Sequence, residues 1–272
     1  MSATEIMNAF LTIIRKEIIR FTRIWLQTLV SPAIMIALYF VTIGVIIGSR
    51  IGEMGGFSFL QWMVPGMVMM SVINNAYSNV LSSFFSVKFQ KSIEELLVTP
   101  VPNYIILGGW IFGGMARGIM VSVLVIIVSL PFVNLSVQNW PLAILVIFLT
   151  SMLFSIGGFI NALFAESFDD VSIVPTFILT PLSYLGGIFY SIDLLPEFWR
   201  TVSLGNPILY MVNALRQAVL GSSDLATMGM TIQFALFMIV LFIITCFIAK
   251  SMKINFPKSD RKKLVTLSLI HI

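Results

Sequence analysis

Successive apolar runs, most of them about 20 residues or longer, constrain this chain more than any other feature. At a rise of about 1.5 Å per residue, such a run crosses a hydrocarbon layer of about 30 Å as a helix. In lipid a backbone must satisfy its own polar groups, and these runs lack the two-residue alternation of barrel strands. The expected fold class is therefore an all-α membrane protein. Composition agrees: 58% hydrophobic and 10% charged residues exclude an ordinary soluble domain. The net charge of +4 does not point to nucleic acid, because Lys and Arg cluster beside the apolar runs. Cys246 is the one cysteine and lies inside an apolar run, where it reads as a small core residue.

Six spans are expected, at about residues 25–48, 59–85, 104–132, 140–164, 171–190 and 228–249. Before them, Ile6, Phe10, Ile13, Ile14, Ile18 and Phe21 share one helical face, with Asn8, Thr12, Arg15, Lys16, Arg20 and Arg23 largely opposite. That pattern predicts an amphipathic helix lying along an anionic membrane surface. Glu5, Glu17 and the direct entry into a span argue against a targeting peptide, and no small-residue cleavage site marks a removed signal. In the second span Ser71, Asn75, Ser78, Asn79 and Ser82 recur at three- and four-residue steps, so that face should turn toward other helices or a hydrated path. The third span carries GxxxG spacings at Gly109/Gly113 and Gly114/Gly118, suited to close helix contact. It lacks the lysine and preceding strand of a nucleotide loop. Arg117 is the charge within a span, placed either to reach the membrane surface or to pair inside the bundle.

Three polar segments interrupt the spans. Between the second and third, Lys91, Glu94 and Glu95 occupy one side of a short helix, and Ile93, Leu96 and Leu97 an apolar side that no core obviously covers. This reads as a docking surface. Between the fourth and fifth, Glu166, Asp169 and Asp170 form an acidic loop; without further ligands it is a solvated turn or partner contact, not a metal site. Residues 191–221 are apolar but broken. Pro196, Glu197 and Trp199 start one helix, Asn206 and Pro207 stop it and start another, and Gly221 ends the second. Each piece is too short to span, which predicts a hairpin re-entering the outer leaflet.

Lys and Arg fix the orientation. Four in the N-terminal segment, two around the first polar segment and six after the last span make twelve on one side, against Arg50, Arg200 and Arg216 on the other. By the positive-inside rule both termini and the segment around Lys91 are cytoplasmic. The last six residues, Leu267 to Ile272, match the translation of a transposon-end sequencing adapter; they are expected to be a read-through artefact, and His271 is given no role.

No catalytic motif or dinucleotide fingerprint is present, and the spans lack the Asp, Glu or His chain of proton-coupled carriers. The cationic N-terminal helix, six spans, Phe89-Gln-Lys-Ser-Ile-Glu-Glu-Leu-Leu-Val-Thr-Pro100, Pro181-Leu-Ser-Tyr-Leu-Gly-Gly-Ile-Phe-Tyr190, Leu194-Leu-Pro-Glu-Phe-Trp199 and Asn206-Pro207 together resemble the ABC-2 type transporter permeases. The resemblance covers residues 5–255 as a single transmembrane domain, with residues 256–272 a cytoplasmic tail. It is strongest to bacterial inner-membrane exporter subunits for drugs and lipo-oligosaccharides. It implies a homodimer, two copies of a separate ABC ATPase holding ATP and Mg, and no cofactor in this chain. It further implies a coupling helix around Lys91, Ile93, Glu94, Glu95, Leu96, Leu97, Val98 and Pro100. Glu166, Asp169 and Asp170 would be a second ATPase contact, and Pro196, Glu197, Trp199, Asn206 and Pro207 an outer gate. A candidate path for substrate is Ser71, Asn75, Ser78, Asn79 and Arg117. The cargo expected of spans this apolar is an amphiphile or hydrophobic compound moved outward. The rivals are an ATPase-independent carrier or channel, using Arg117 and the polar face, and a lipid-modifying enzyme using Asp169 and Asp170.

Overall fold

The computed structural model describes residues 2–224, and most of them are helical. Helix α1 (Ala3–Arg23) begins with a capping box, in which the Ser2 hydroxyl accepts from the Glu5 N–H and the Glu5 carboxylate accepts from the Ser2 N–H. The next helical run joins a π-helical turn (Leu26–Val30), α2 (Ser31–Tyr39), a second π-helical segment (Phe40–Ile47) and α3 (Gly48–Ile51). A tight hairpin follows, β1 (Glu53–Met54) against β2 (Phe57–Ser58). Gly55 and Gly56 both take positive φ there, as a two-residue hairpin turn requires.

The centre of the fold is α4 (Phe59–Phe89), 31 residues long and capped by Ser58 and Gln61. After α5 (Ile93–Val98), α6 (Asn103–Ser129) and α7 (Trp140–Phe164) return along it. The chain then forms α8 (Phe168–Val174), a π-helical turn (Pro175–Leu179) and α9 (Thr180–Tyr184), and closes with α10 (Glu197–Leu204) and α11 (Pro207–Leu220). The π-helical turns at Leu26–Val30 and Pro175–Leu179 each lie just before a helix with proline at its second residue, Pro32 or Pro181. A proline supplies no N–H and crowds the preceding turn, which a wider turn relieves.

Glycines set how closely the helices approach. The two GxxxG spacings of α6 serve different neighbours. A Cβ on Gly109 or Gly113 would meet Ile13 or Glu17 of α1, and one on Gly114 or Gly118 would meet Val80 or Ala76 of α4. From α7, Gly158 lets the backbone of Tyr77 approach so closely that a Cβ there would overlap its carbonyl oxygen.

Among the described residues three helical runs are long and apolar enough to cross a membrane: Leu26–Ile46, Asn103–Ser129 and Trp140–Phe164. Helix α4 has the length, but its interior is more polar. The fifth expected span, residues 171–190, is shorter as a helix: it stops at Tyr184, because Gly186 and Gly187, the latter with φ +66°, turn the chain. Helix α1, expected along a membrane surface, has a protein neighbour as well. It packs lengthwise on α6, with Phe10 against Gly108, Ile13 against Gly109 and Glu17 against Gly113. The sixth expected span and the tail, including residues 267–272, lie outside the described residues.

Candidate functional site

At the α5 end of the bundle, two segments that are distant in sequence meet. The Lys88 ammonium at the end of α4 donates to the carbonyls of Leu163 (2.5 Å) and Ala165 (2.7 Å), satisfying the unpaired C-terminal carbonyls of α7. Phe89 packs on Phe168 at a centroid separation of 4.9 Å, and Phe85 on Phe168 at 5.0 Å. These contacts bring the acidic turn beside the segment that carries α5. Phe89 and Phe168 remain 57% and 60% exposed, so the joined segments present an aromatic patch. The sequence marks neither Lys88 nor Phe168 as part of this site.

Within the turn the acidic residues divide. The Asp170 carboxylate accepts from the Glu166 N–H (3.0 Å) and the Ser167 N–H (2.9 Å), capping α8. The Glu166 amide first, and the Ser167 hydroxyl and amide after it, hold the Asp170 carboxyl below its ordinary range. Glu166 and Asp169 point outward and are exposed. Lys91 in the turn before α5, Glu95 on it and Pro100 beyond it are exposed, and Lys91 takes a left-handed φ of +60°. Ile93 corrects the sequence expectation: it is buried in this chain's own core, with Leu96 partly buried against it. Ile93 and Leu96 thus anchor α5 to its own bundle, and Glu95 faces out. The side chains of Glu94, Leu97 and Val98 lie outside the described set.

Deeper in the bundle, the residues placed on one face of the second span separate. Ser71, Asn75 and Asn79 are buried, Ser78 is half-buried, and Asn74 and Ser82 line the more open side. Ser71 and Asn75 bond back to carbonyls of α4, from Met67 (2.8 Å) and Ser71 (3.0 Å). Arg117 pairs inside the bundle, donating to the Asn75 side-chain oxygen at 3.0 Å. One turn along, Arg20 donates to both the backbone and side-chain oxygens of Asn79, at 2.9 and 2.8 Å. Glu17, fully buried, bonds Arg20 (3.2 Å) and accepts from the Ser83 hydroxyl (2.7 Å), which also receives the Trp110 indole N–H. Glu17 is legible in retrospect, since it falls at four-residue steps between Ile13 and Phe21 on the apolar side of α1.

The opposite end holds the hairpin of α10 and α11. The side-chain oxygen of Asn206 caps α11 through the Ile208 N–H, its amide donates to the Leu182 carbonyl, and Pro207 occupies the first helical position. Pro196, capping α10, and Glu197 and Trp199 on it are exposed. Arg216 of α11 is fully buried, with its guanidinium 4.1 Å over the Trp62 ring. It donates to the Gly187 carbonyl (2.8 Å) and the Asn213 side-chain oxygen (3.2 Å), and pairs with Asp224 at 3.5 Å. Asp224 also accepts from the Ser191 hydroxyl at 2.6 Å. An apolar cavity of about 400 Å³ lies nearby between α4, α6, α7 and α11, lined by Val68, Ile126, Trp140 and Val219 among others.

Known proteins match most of the chain. The family model for the ABC-2 type transporter matches residues 8–220. The inner membrane transport permease YadH of Escherichia coli (strain K12) is 53% identical over 234 residues, covering 85% of this chain and 90% of that protein. Nodulation protein J of Rhizobium leguminosarum bv. trifolii is 24% identical over 212 residues, covering 76% of this chain and 79% of that protein. With a family match across most of its length and a relative this similar, the chain belongs to the ABC-2 type transporter family.

Proposed function

We propose that the chain is the permease subunit of an ATP-driven exporter in the bacterial inner membrane, working as a homodimer with two copies of a separate ABC ATPase. The observation that carries this reading is the meeting of the end of α4, which leads directly into α5, with the acidic turn through Phe85, Phe89 and Phe168, which supports one shared surface for a partner on a family member. The name of the Escherichia coli relative, an inner membrane transport permease, supports the membrane and the role. ATP and Mg belong to the partner, and both termini of this chain face the cytoplasm with α5 by the charge rule.

In this mechanism, ATP closes the ATPase dimer and displaces α5 together with the acidic turn. Because Ile93 is packed into the bundle and Lys88 holds the end of α7, that displacement passes to α4 and α7 as a unit. The bundle moves between two packings whose populations nucleotide sets. An amphiphilic or hydrophobic cargo leaves outward, past the polar residues of α4 and the hairpin of α10 and α11.

Co-purification with an ATPase encoded beside this gene tests the reading. A stable complex is expected. The double substitution Glu94→Lys with Glu95→Lys should abolish it, and Phe89→Ala with Phe168→Ala should weaken it by about tenfold or more, as loss of aromatic anchors does. Unchanged binding and nucleotide-coupled transport in both variants would refute the docking assignment. Transport by the chain without any ATPase would favour the carrier reading.

A further inference from the structure

Arg117 lies near the middle of α6, and its partner Asn75 near the middle of α4. A guanidinium at that depth is costly unless a counter-charge or a polar ligand faces it. Among the described residues Arg117 makes no ion pair; Asn75 is neutral, and the Arg117 Nε is buried without a hydrogen-bond partner. Asn75 and Asn79 are one helical turn apart, about 6 Å between their Cβ atoms, and Asn79 holds Arg20. The carboxylate in this cluster, Glu17, is already committed to Arg20 and Ser83. The cluster therefore holds two guanidiniums and one carboxylate, which Arg20 takes, and it keeps an excess positive charge. It is not sealed, because Arg117 and Arg20 are partly exposed and Asn74, Ser78 and Ser82 continue the polar surface along the open side of α4.

We propose that Arg117, with Arg20 beside it, binds the phosphate group of an anionic amphiphile. A phosphate has the oxygens to receive the guanidinium N–H groups that Asn75, Asn79 and Glu17 leave unpaired, and an amphiphile brings it to this depth with its chains in the surrounding lipid. That this anion is cargo rests on the transport reading above; the binding itself does not.

The test uses the full chain in phosphatidylcholine nanodiscs, titrated with phosphatidic acid of the same acyl chains and, in parallel, with inorganic phosphate. Retained lipid is counted by native mass spectrometry. Phosphatidic acid should be held about tenfold more tightly than phosphatidylcholine. Arg117→Gln should remove that preference and Arg117→Lys keep part of it, while Arg15→Gln, on the exposed side of α1, should leave it intact. Asn75→Asp guards against a variant that fails only by misfolding. It sets a carboxylate against Arg117, and should lose the preference while thermal stability is unchanged or higher. Equal retention by wild type and Arg117→Gln, or an equal loss in Arg15→Gln, would overturn the proposal. Inorganic phosphate binding as tightly as phosphatidic acid would overturn the amphiphile assignment. No ATPase is present, so failure here leaves the docking reading standing, and failure of docking leaves this binding intact.

Discussion

Among the described residues, two arginines that pair inside the bundle are treated in opposite ways. Arg216, at the hairpin end, has an acid (Asp224), a backbone carbonyl (Gly187) and an aromatic face (Trp62), and it is fully buried. Arg117, at mid-depth, has a neutral amide and a partly open surround. Each leaves its Nε unpaired, so the difference lies in counter-charge and enclosure. The first is built as a clamp tying α11 to α4 and to the turn after α9. The second keeps spare charge where a clamp would have neutralised it.

Truncation should separate the two most strongly. Arg216→Ala strands Asp224 without its charge partner and is expected to cost about 3–5 kcal/mol, the range for breaking a buried ion pair. Arg117→Ala removes one hydrogen bond to a neutral group and should cost about 1 kcal/mol. Thermal unfolding in detergent measures both, and equal losses would remove the distinction between clamp and open site.

Helix approach offers a finer probe of the same contrast. A Cβ on Gly66 would lie 2.5 Å from the Ile188 carbonyl oxygen, in the backbone next to the carbonyl that binds Arg216. A Cβ on Gly118, beside Arg117, would come no nearer than 3.0 Å to its closest neighbour, the Ala76 Cβ. Overpacking costs about 1–3 kcal/mol, so Gly66→Ala should fall near the top of that range and Gly118→Ala near the bottom. Unfolding midpoints of the two variants give the order directly.

The smallest effect belongs to the α5 end. The Asp170 carboxyl is held below its ordinary range, so its contribution is present at neutral pH and is lost as pH falls through that depressed value. Amide exchange at Glu166 and Ser167, corrected for intrinsic rates, should show protection falling on acidification. Asp170→Asn should flatten that dependence.

These features differ in how far they could be read from sequence. Local ones were legible: apolar runs gave the long helices, Asn206 and Pro207 the start of α11, and Gly221 its left-handed end. Contacts between distant residues were not. Glu17 reads as an argument about targeting until α6 is laid beside α1, and Arg216 reads only as a topology charge until Trp62 and Asp224 converge on it. Ile93 reads as free in the short helix alone, and the bundle covers it. At the candidate docking site the acidic turn and α5 were each visible; their adjacency through Phe89 and Phe168 was not.

Site-directed cross-linking tests most directly the claim that the α5 end receives the ATPase. In a Cys246→Ser background, a cysteine at Gln90 or Asp169 should cross-link to the partner ATPase with a yield that changes on adding ATP, and one at Trp199 on α10 should not. Adducts from Trp199 but none from Gln90 or Asp169 would contradict the account.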